Sequence, residues 1–366
     1  MKARLGNFFL ILLGLALAAL AGEGLVRLFL PQKLVPPCFK NDPEVAISGV
    51  PDCAYLDEQH PDFFKYFVRL NNLGLRMDAD LLPTDSPHVV CLGDSFTYGW
   101  GVQLDQSFWG ILNKTADKFG FGGQLVNAGF PAYSTGHCTK KLEQLCAEIP
   151  VKKVIYFMYF NDLFDNMNAD INFRTHEVET SPDGAISLRP VPVFSAPKRW
   201  WHSIGLGDWL YKHAHLAVLA RKVLRGNSGT ISQRRPFYDT TLTSRDIEKM
   251  IRVSVAHLDL MARFCSEKQL DLMVVWIPCW LELTLENDYG WVNNFPYETF
   301  KSAARKSLSA YPGVRFFDPV PAMNVQLEGQ KSAVSDYYFG EGHFRPKGHL
   351  LYYQSIWEEV LRFLAE

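Results

Sequence analysis

The chain has almost no net charge of either sign: 37 Lys and Arg stand against 39 Asp and Glu, for a formal net charge of −2. No basic stripe marks a nucleic-acid surface, and no acidic tail marks a disordered arm. Internal repeats and low-complexity tracts are absent as well. Cysteine is sparse, at seven residues: Cys38, Cys53, Cys91, Cys138, Cys146, Cys265 and Cys279. None is spaced with histidine as in a zinc site, so no metal is expected. The odd count leaves at least one thiol outside any internal pair.

What is present is hydrophobic mass. With 366 residues, 48% of them hydrophobic, the chain can build one large domain or two modest ones around a substantial core. The N-terminus carries Lys2 and Arg4 ahead of an apolar run from Phe8 to Ala21. Positive charge there holds the segment N-terminus-in, so the rest of the chain is expected outside the cytoplasm. Two readings stand. Ala19-Leu20-Ala21 resembles a signal-peptidase site. Alternatively the helix continues to Pro31 as a signal anchor over residues 1–31, long enough for the ~30 Å hydrocarbon core. In the second reading Glu23 and Arg27 pair four residues apart on one helix face. Residues 32–69, rich in Pro and Asp, read as a linker and cap, in which Cys38 and Cys53 could form a stapling disulfide.

Downstream, strands and helices alternate. Strands are expected at 88–92, 124–127, 153–160, 270–277 and 314–318. Helices are expected at 106–119, 134–149, 244–267, 297–311 and 346–364, with Ser134 or Thr135 as an N-cap. The alternation predicts a doubly wound α/β domain over 70–366 with a mainly parallel five-stranded sheet. Residues 163–240 interrupt it as an insertion or lid with a helix near 208–224. Its Lys198-Arg199-Trp200-Trp201-His202 stretch could meet substrate, the membrane interface or simply the core.

Three polar signals follow three successive strands: Gly93-Asp94-Ser95, then Asn127-Ala128-Gly129, then Asn161-Asp162. A fourth, Gly340-Glu341-Gly342-His343 through Gly348-His349, precedes the last helix. A serine just beyond a central strand lies in the crevice where open α/β sheets bind ligands. Ester cleavage needs such a nucleophile, a base for its proton, and donors for the developing oxyanion.

These blocks resemble those of the SGNH, or GDSL, hydrolase superfamily, in order and over roughly residues 70–366. The resemblance implies a flavodoxin-like three-layer α/β/α fold. It implies Ser95 as nucleophile, His343 as base, and an oxyanion hole from the Ser95 and Gly129 backbone N–H groups and the Asn161 amide. The anchor and the Asn71-Asn72-Leu73-Gly74-Leu75-Arg76 segment are similar to membrane-anchored bacterial members, which implies O-acyl or O-acetyl esters on an envelope glycan or lipid as substrate and no cofactor. The same machinery would serve an O-acyltransferase working with a membrane partner, and a non-catalytic glycan-binding protein could keep the fold alone. Two departures stand out. Tyr159 occupies the usual glycine of the third block, making Tyr159 and Phe160 candidate substrate contacts. The usual acid three before the histidine is Gly340, which leaves Glu341, or Asp336, to orient His343. Asp94 and Asp162 read as loop formers, Asn127 as support for the second loop or a strand cap. His349 reads as a cap or packing residue of the last helix, and His137 as an exposed helix position.

Overall fold

Four apolar residues in a row, Val89–Leu92, cannot alternate between core and solvent, so their strand must be covered on both faces. The computed structural model describes residues 2–58, 65–81, 87–118, 123–167, 174–181, 185–193, 205–225, 242–289 and 295–366. It meets the requirement with a parallel sheet flanked by helices. The chain opens with helix α1 (Lys2–Phe29). Two antiparallel pairs follow, β1 (Phe39–Asp42) with β2 (Ala46–Gly49), and β3 (Ala54–Asp57) with β4 (Tyr66–Arg69). Next come β5 (His88–Gly93), the one-turn α2 (Ser95–Tyr98), α3 (Phe108–Lys118), β6 (Leu125–Asn127), α4 (Thr135–Glu148) and β7 (Val151–Tyr159). The one-turn α5 (Asp162–Asp165) leads to a hairpin of β8 (His176–Thr180) and β9 (Ile186–Pro190), then α6 (Leu206–His213), α7 (His215–Arg225) and α8 (Ser244–Glu267). The remainder is β10 (Asp271–Ile277), α9 (Tyr297–Leu308), β11 (Val314–Phe317), α10 (Val320–Leu327), α11 (Val334–Tyr337) and α12 (Pro346–Ala365).

The large sheet has the order β11-β10-β7-β5-β6, every neighbour parallel. Counted along the chain, its strands are arranged 2-1-3-4-5, the flavodoxin-like order, whose switch point lies between β5 and β7. Register sets Gly93 beside Phe157 and Ile277 beside Tyr159. The carboxyl ends of β5, β7 and β10 therefore open on one edge. Two helical groups flank the sheet, α3 with α12, and α8 with α4 and α9. The N-terminus of α8 follows its sequence: Thr243 caps the first turn by accepting the Asp246 N–H while Asp246 accepts the Thr243 N–H, a reciprocal capping box.

Three expectations need correction. Residues 32–69, expected as a linker and cap, carry the expected Cys38–Cys53 disulfide but also supply β1–β4, and Phe39, Tyr66 and Val68 are buried in the same core as the sheet. The insertion contributes the β8–β9 hairpin, and its expected single helix is broken at Ala214 into α6 and α7. Lys198–His202 lies outside the described residues. His137 is buried, not exposed, and its Nδ1 lies 3.0 Å from the Ser134 Oγ and accepts the Ser134 N–H at the start of α4.

His349 packs in the core, as expected, but the helix it caps is a neighbour: its Nδ1 accepts the Phe108 N–H of α3 at 3.2 Å. Burial lowers its pKa to about 3, and the nearby His343 and Arg76 charges act in the same direction. The folded state thus binds fewer protons than the unfolded chain between about pH 3 and the unperturbed value near 6.5, and stability falls as pH falls through that window, by about 1.4 kcal/mol per unit. In His349→Gln this slope should shrink. Denaturant titrations of the full chain in detergent at pH 7, 6 and 5 check it; an unchanged difference between the two proteins across the series would contradict the assignment.

Candidate active site

Ser95 sits at the first position of α2, immediately after β5. Asp94 is the N-cap, its Oδ1 accepting the Phe96 N–H at 2.8 Å. Gly99 ends the turn in the left-handed region, at φ 81°, with its N–H on the Ser95 and Phe96 carbonyls. This is a helix C-cap that glycine adopts without steric penalty. The fourth sequence block returns from the other end of the chain. Phe339 donates to the His343 carbonyl at 2.8 Å and Gly342 to that of Phe339 at 2.8 Å, closing a tight turn that presents His343.

The two segments meet. Ser95 Oγ and His343 Nε2 are 2.6 Å apart, and His343 Nδ1 is 2.5 Å from Glu341 Oε2. With a proton on Nδ1 donated to the carboxylate, Nε2 is left to accept from the serine hydroxyl. All three side chains are half-buried or buried. Asp336, the alternative acid, is on the surface near Lys347 and does not take part.

Gly129 and Asn161 stand on the flanking strand ends. The Gly129 N–H donates to Asn127 Oδ1 at 3.2 Å, so Asn127 does support the second loop. A Cβ at Gly129 would lie 2.6 Å from Thr97 Cβ and 2.7 Å from the Tyr98 nitrogen, so only glycine lets this loop close against α2. Asn161 is the N-cap of α5. Burial pushes Asp94 up to about 6, opposed by the Phe96 N–H, by His343 and by the Asn161 amide, which faces the Asp94 carboxyl. Asp162 is held well above the usual carboxylate range by burial and by the Asp94 charge, and accepts the Tyr156 hydroxyl at 2.6 Å. Both aspartates order loops, as their positions suggested.

The third block is corrected. Phe160 has no exposed surface. It packs among Phe164, Phe295 and Tyr297, with ring centroids 4.9–5.3 Å away, and is core rather than a substrate contact. Tyr159 is also buried, 4.2 Å from the Phe96 ring, which in turn lies 5.0 Å from that of His343. It backs the site from behind instead of lining an open pocket.

The residue that sequence reasoning passed over is Arg76. Its guanidinium is buried, with Nη1 donating to the Tyr98 and Gly99 carbonyls, the former at 2.9 Å, and Nη2 to that of Val102 at 2.7 Å. It also lies over the Tyr66 and Tyr98 rings, 5.2 and 5.0 Å from their centroids. The signal was an arginine in an otherwise apolar Leu75-Arg76-Met77 stretch, where a buried cation must find several acceptors.

No family model matches the chain, and no curated protein matches it. Among solved structures the chain is similar to that of TesA, at 13% identity and a TM-score of 0.40, covering 75% of this chain and 99% of that one. It is similar to a psychrotrophic esterase, EstA, from Pseudoalteromonas sp., inhibited by monoethylphosphonate, at 12% and 0.40, covering 77% and 100%. A third likeness is to a catalytic mutant of an acetylxylan esterase from Geobacillus stearothermophilus, at 10% and 0.40, covering 78% and 97%. Likeness at this level carries no functional argument; the site's own geometry does.

Arg76→Met should lower stability by about 3 kcal/mol, since several buried carbonyls lose their donor. Arg76→Lys should recover less than half of that, because an ammonium cannot fork between acceptors. Urea denaturation of the full chain in detergent reads both values, and a lysine variant as stable as wild type would contradict the role.

Proposed function

We propose that the protein is a membrane-anchored serine esterase of SGNH type, facing away from the cytoplasm, which cleaves O-acyl esters through an acyl-Ser95 intermediate. The single observation that carries this reading is the unbroken line Glu341–His343–Ser95, at 2.5 and 2.6 Å. His343 Nε2 takes the Ser95 proton as Oγ attacks the ester carbonyl, then returns it to the leaving alcohol; water repeats the sequence to release the acid. Glu341 fixes the tautomer and stabilises the imidazolium that forms. The oxyanion is received by the Ser95 and Gly129 N–H groups and the Asn161 amide. Asp94 supports this, because the same Asn161 amide favours its carboxylate form. Gly129 must exchange its long contact to Asn127 for the oxyanion. The reaction calls for neither metal nor organic cofactor.

Placement outside the cytoplasm is supported by two features. Gly6–Phe29 is a helix long and apolar enough to cross a membrane, near the N-terminus and preceded by positive charge. The Cys38–Cys53 disulfide suits an oxidising compartment. The remaining thiols, Cys91, Cys138, Cys265 and Cys279, are buried, and Cys146 is half-buried; burial raises the pKa of Cys91, Cys138, Cys146, Cys265 and Cys279 and keeps them unreactive. In that setting an acylated, and specifically acetylated, envelope glycan is the substrate class we assign.

The test is hydrolysis of p-nitrophenyl acetate by the full chain. Ser95→Ala should lower kcat/KM by about 10³-fold or more, and Glu341→Gln by about 10²–10⁴-fold with KM little changed. A folded wild type with no turnover would sink the hydrolase reading, and a Ser95→Ala protein as active as wild type would sink the nucleophile.

A further inference from the structure

Glu23 and Arg27 are the charged residues of the apolar stretch Gly6–Phe29 of α1, and the structure gives each a second partner beyond their mutual contact at 3.3 Å. Glu23 accepts the His215 and Leu216 N–H groups, at 3.0 and 2.7 Å, at the start of α7. Arg27 donates to the His213 carbonyl, at 2.9 Å, at the end of α6. An acid thus meets a helix N-terminus and a base a helix C-terminus, each matching the local dipole. The break at Ala214 therefore straddles α1. Further bonds lock it there: the Gln32 N–H to His215 Nδ1 at 2.8 Å, the Val35 N–H to the Tyr211 carbonyl at 3.1 Å, and Lys212 Nζ to the Pro37 carbonyl at 2.9 Å. Leu216 approaches so closely that a Cβ on Gly22 would meet it at 3.2 Å.

The height of this junction is set by α1. From Gly6, at 1.5 Å per residue, Arg27 lies about 32 Å along the axis, at the far edge of a ~30 Å hydrocarbon core. Residues 6–21 of α1 are all exposed, and the less exposed residues of the helix are Gly22, Glu23 and Val26, at the level of the junction with α7. What α6 and α7 present beyond the junction is apolar and cationic. Leu206, Trp209, Val223 and Leu224 are exposed. Lys222 is exposed beside Arg221, and α7 contains no acidic residue. The one acid of α6, Asp208, is bonded to Asn41.

We infer that α6 and α7 form an interfacial saddle, seated in the outer headgroup layer of the same bilayer that α1 spans. The inference rests on the anchored reading above. The occupant is lipid, because the face is continuous with α1 at the level where that helix leaves the hydrocarbon. Exposed leucine, valine and tryptophan with lysine and arginine, and little acid, is the composition of helices that lie in an interface. The saddle fixes the catalytic domain against the membrane at two points instead of leaving it on a single flexible stalk.

The test uses the full chain, with Cys146→Ala, in vesicles of equal parts phosphatidylcholine and phosphatidylglycerol. Nitroxide labels are placed singly at Leu13→Cys, Leu224→Cys and Val325→Cys, all exposed positions in the structure. Accessibility to a water-soluble nickel reagent is read against accessibility to oxygen. The expected result is severalfold lower nickel accessibility at 13 and at 224 than at 325. Shielding at 13 with position 224 as open as 325 would overturn the saddle and leave the anchor standing. An open position 13 would overturn the anchor and the saddle with it. Dipolar broadening between labels at 224 would show a second copy on this face, and would overturn the lipid assignment.

Discussion

A helix of one turn has no stability of its own, because its few hydrogen bonds do not offset the cost of fixing the backbone. Ser95 is carried on such a helix, Ser95–Tyr98. Everything the site does depends on holding that turn still. Asp94 holds its amino end, Gly99 reverses the chain at its carboxyl end, and the Arg76 fork gathers the carbonyls of Tyr98, Gly99 and Val102. The arginine replaces the hydrogen bonds that a longer helix would have supplied. It comes from a segment preceding the sheet, which is why β3, β4 and the disulfide-bound N-terminal strands belong to the same core as the site. The aromatic contacts point the same way: Phe39, the first residue of β1, lies 6.1 Å from Tyr98 at the end of α2 and 4.6 Å from Phe130 in the loop after β6.

The parallel sheet contributes what local structure cannot. At the switch point between β5 and β7, successive strands send their connections to opposite faces, so the strand ends diverge and leave a crevice. Ser95 and Asn161 leave the sheet on either side of that crevice, with Gly129 one strand further. The carboxyls below them, Asp94 and Asp162, would oppose a developing oxyanion if both were ionised. Burial and the Asp94 charge favour the protonated form of Asp162, which weakens that opposition. Asp94, shifted only to about 6, accepts the Phe96 N–H at 2.8 Å.

The strand–helix alternation from 88 onward was legible because it is local: apolar runs of strand length and amphipathic runs of helix length lie between turn residues. The four polar blocks were legible because each sits at a strand or helix boundary. What escaped was decided by tertiary packing. Phe160 follows a strand that points alternate residues to opposite faces, and nothing in its neighbours reveals that residues far along the chain, Phe295 and Tyr297, will close over it. His137 is in a polar-looking turn of α4, yet the capping geometry with Ser134 turns it inward. Four short strands in residues 39–69 carry too few residues apiece to show a period of two against their Pro- and Asp-rich surroundings. Arg76 was visible, but its partners are carbonyls, and a carbonyl leaves no trace in the sequence.

The polar pair in α1 makes the same point from the other side. Read along one helix, Glu23 and Arg27 form an i,i+4 ion pair, which is worth only a few tenths of a kcal/mol at an exposed position. That is poor compensation for interrupting an apolar helix. In three dimensions each side chain also serves a helix terminus of the insertion, where free N–H and C=O groups would otherwise need water. The demand is mutual. In the anchored placement proposed above, at the edge of a bilayer, α6 and α7 could not leave their facing ends unsatisfied, and α1 could not carry an acid and a base without partners. One junction meets both requirements, and it requires the break at Ala214 that the helical periodicity of residues 208–224 conceals.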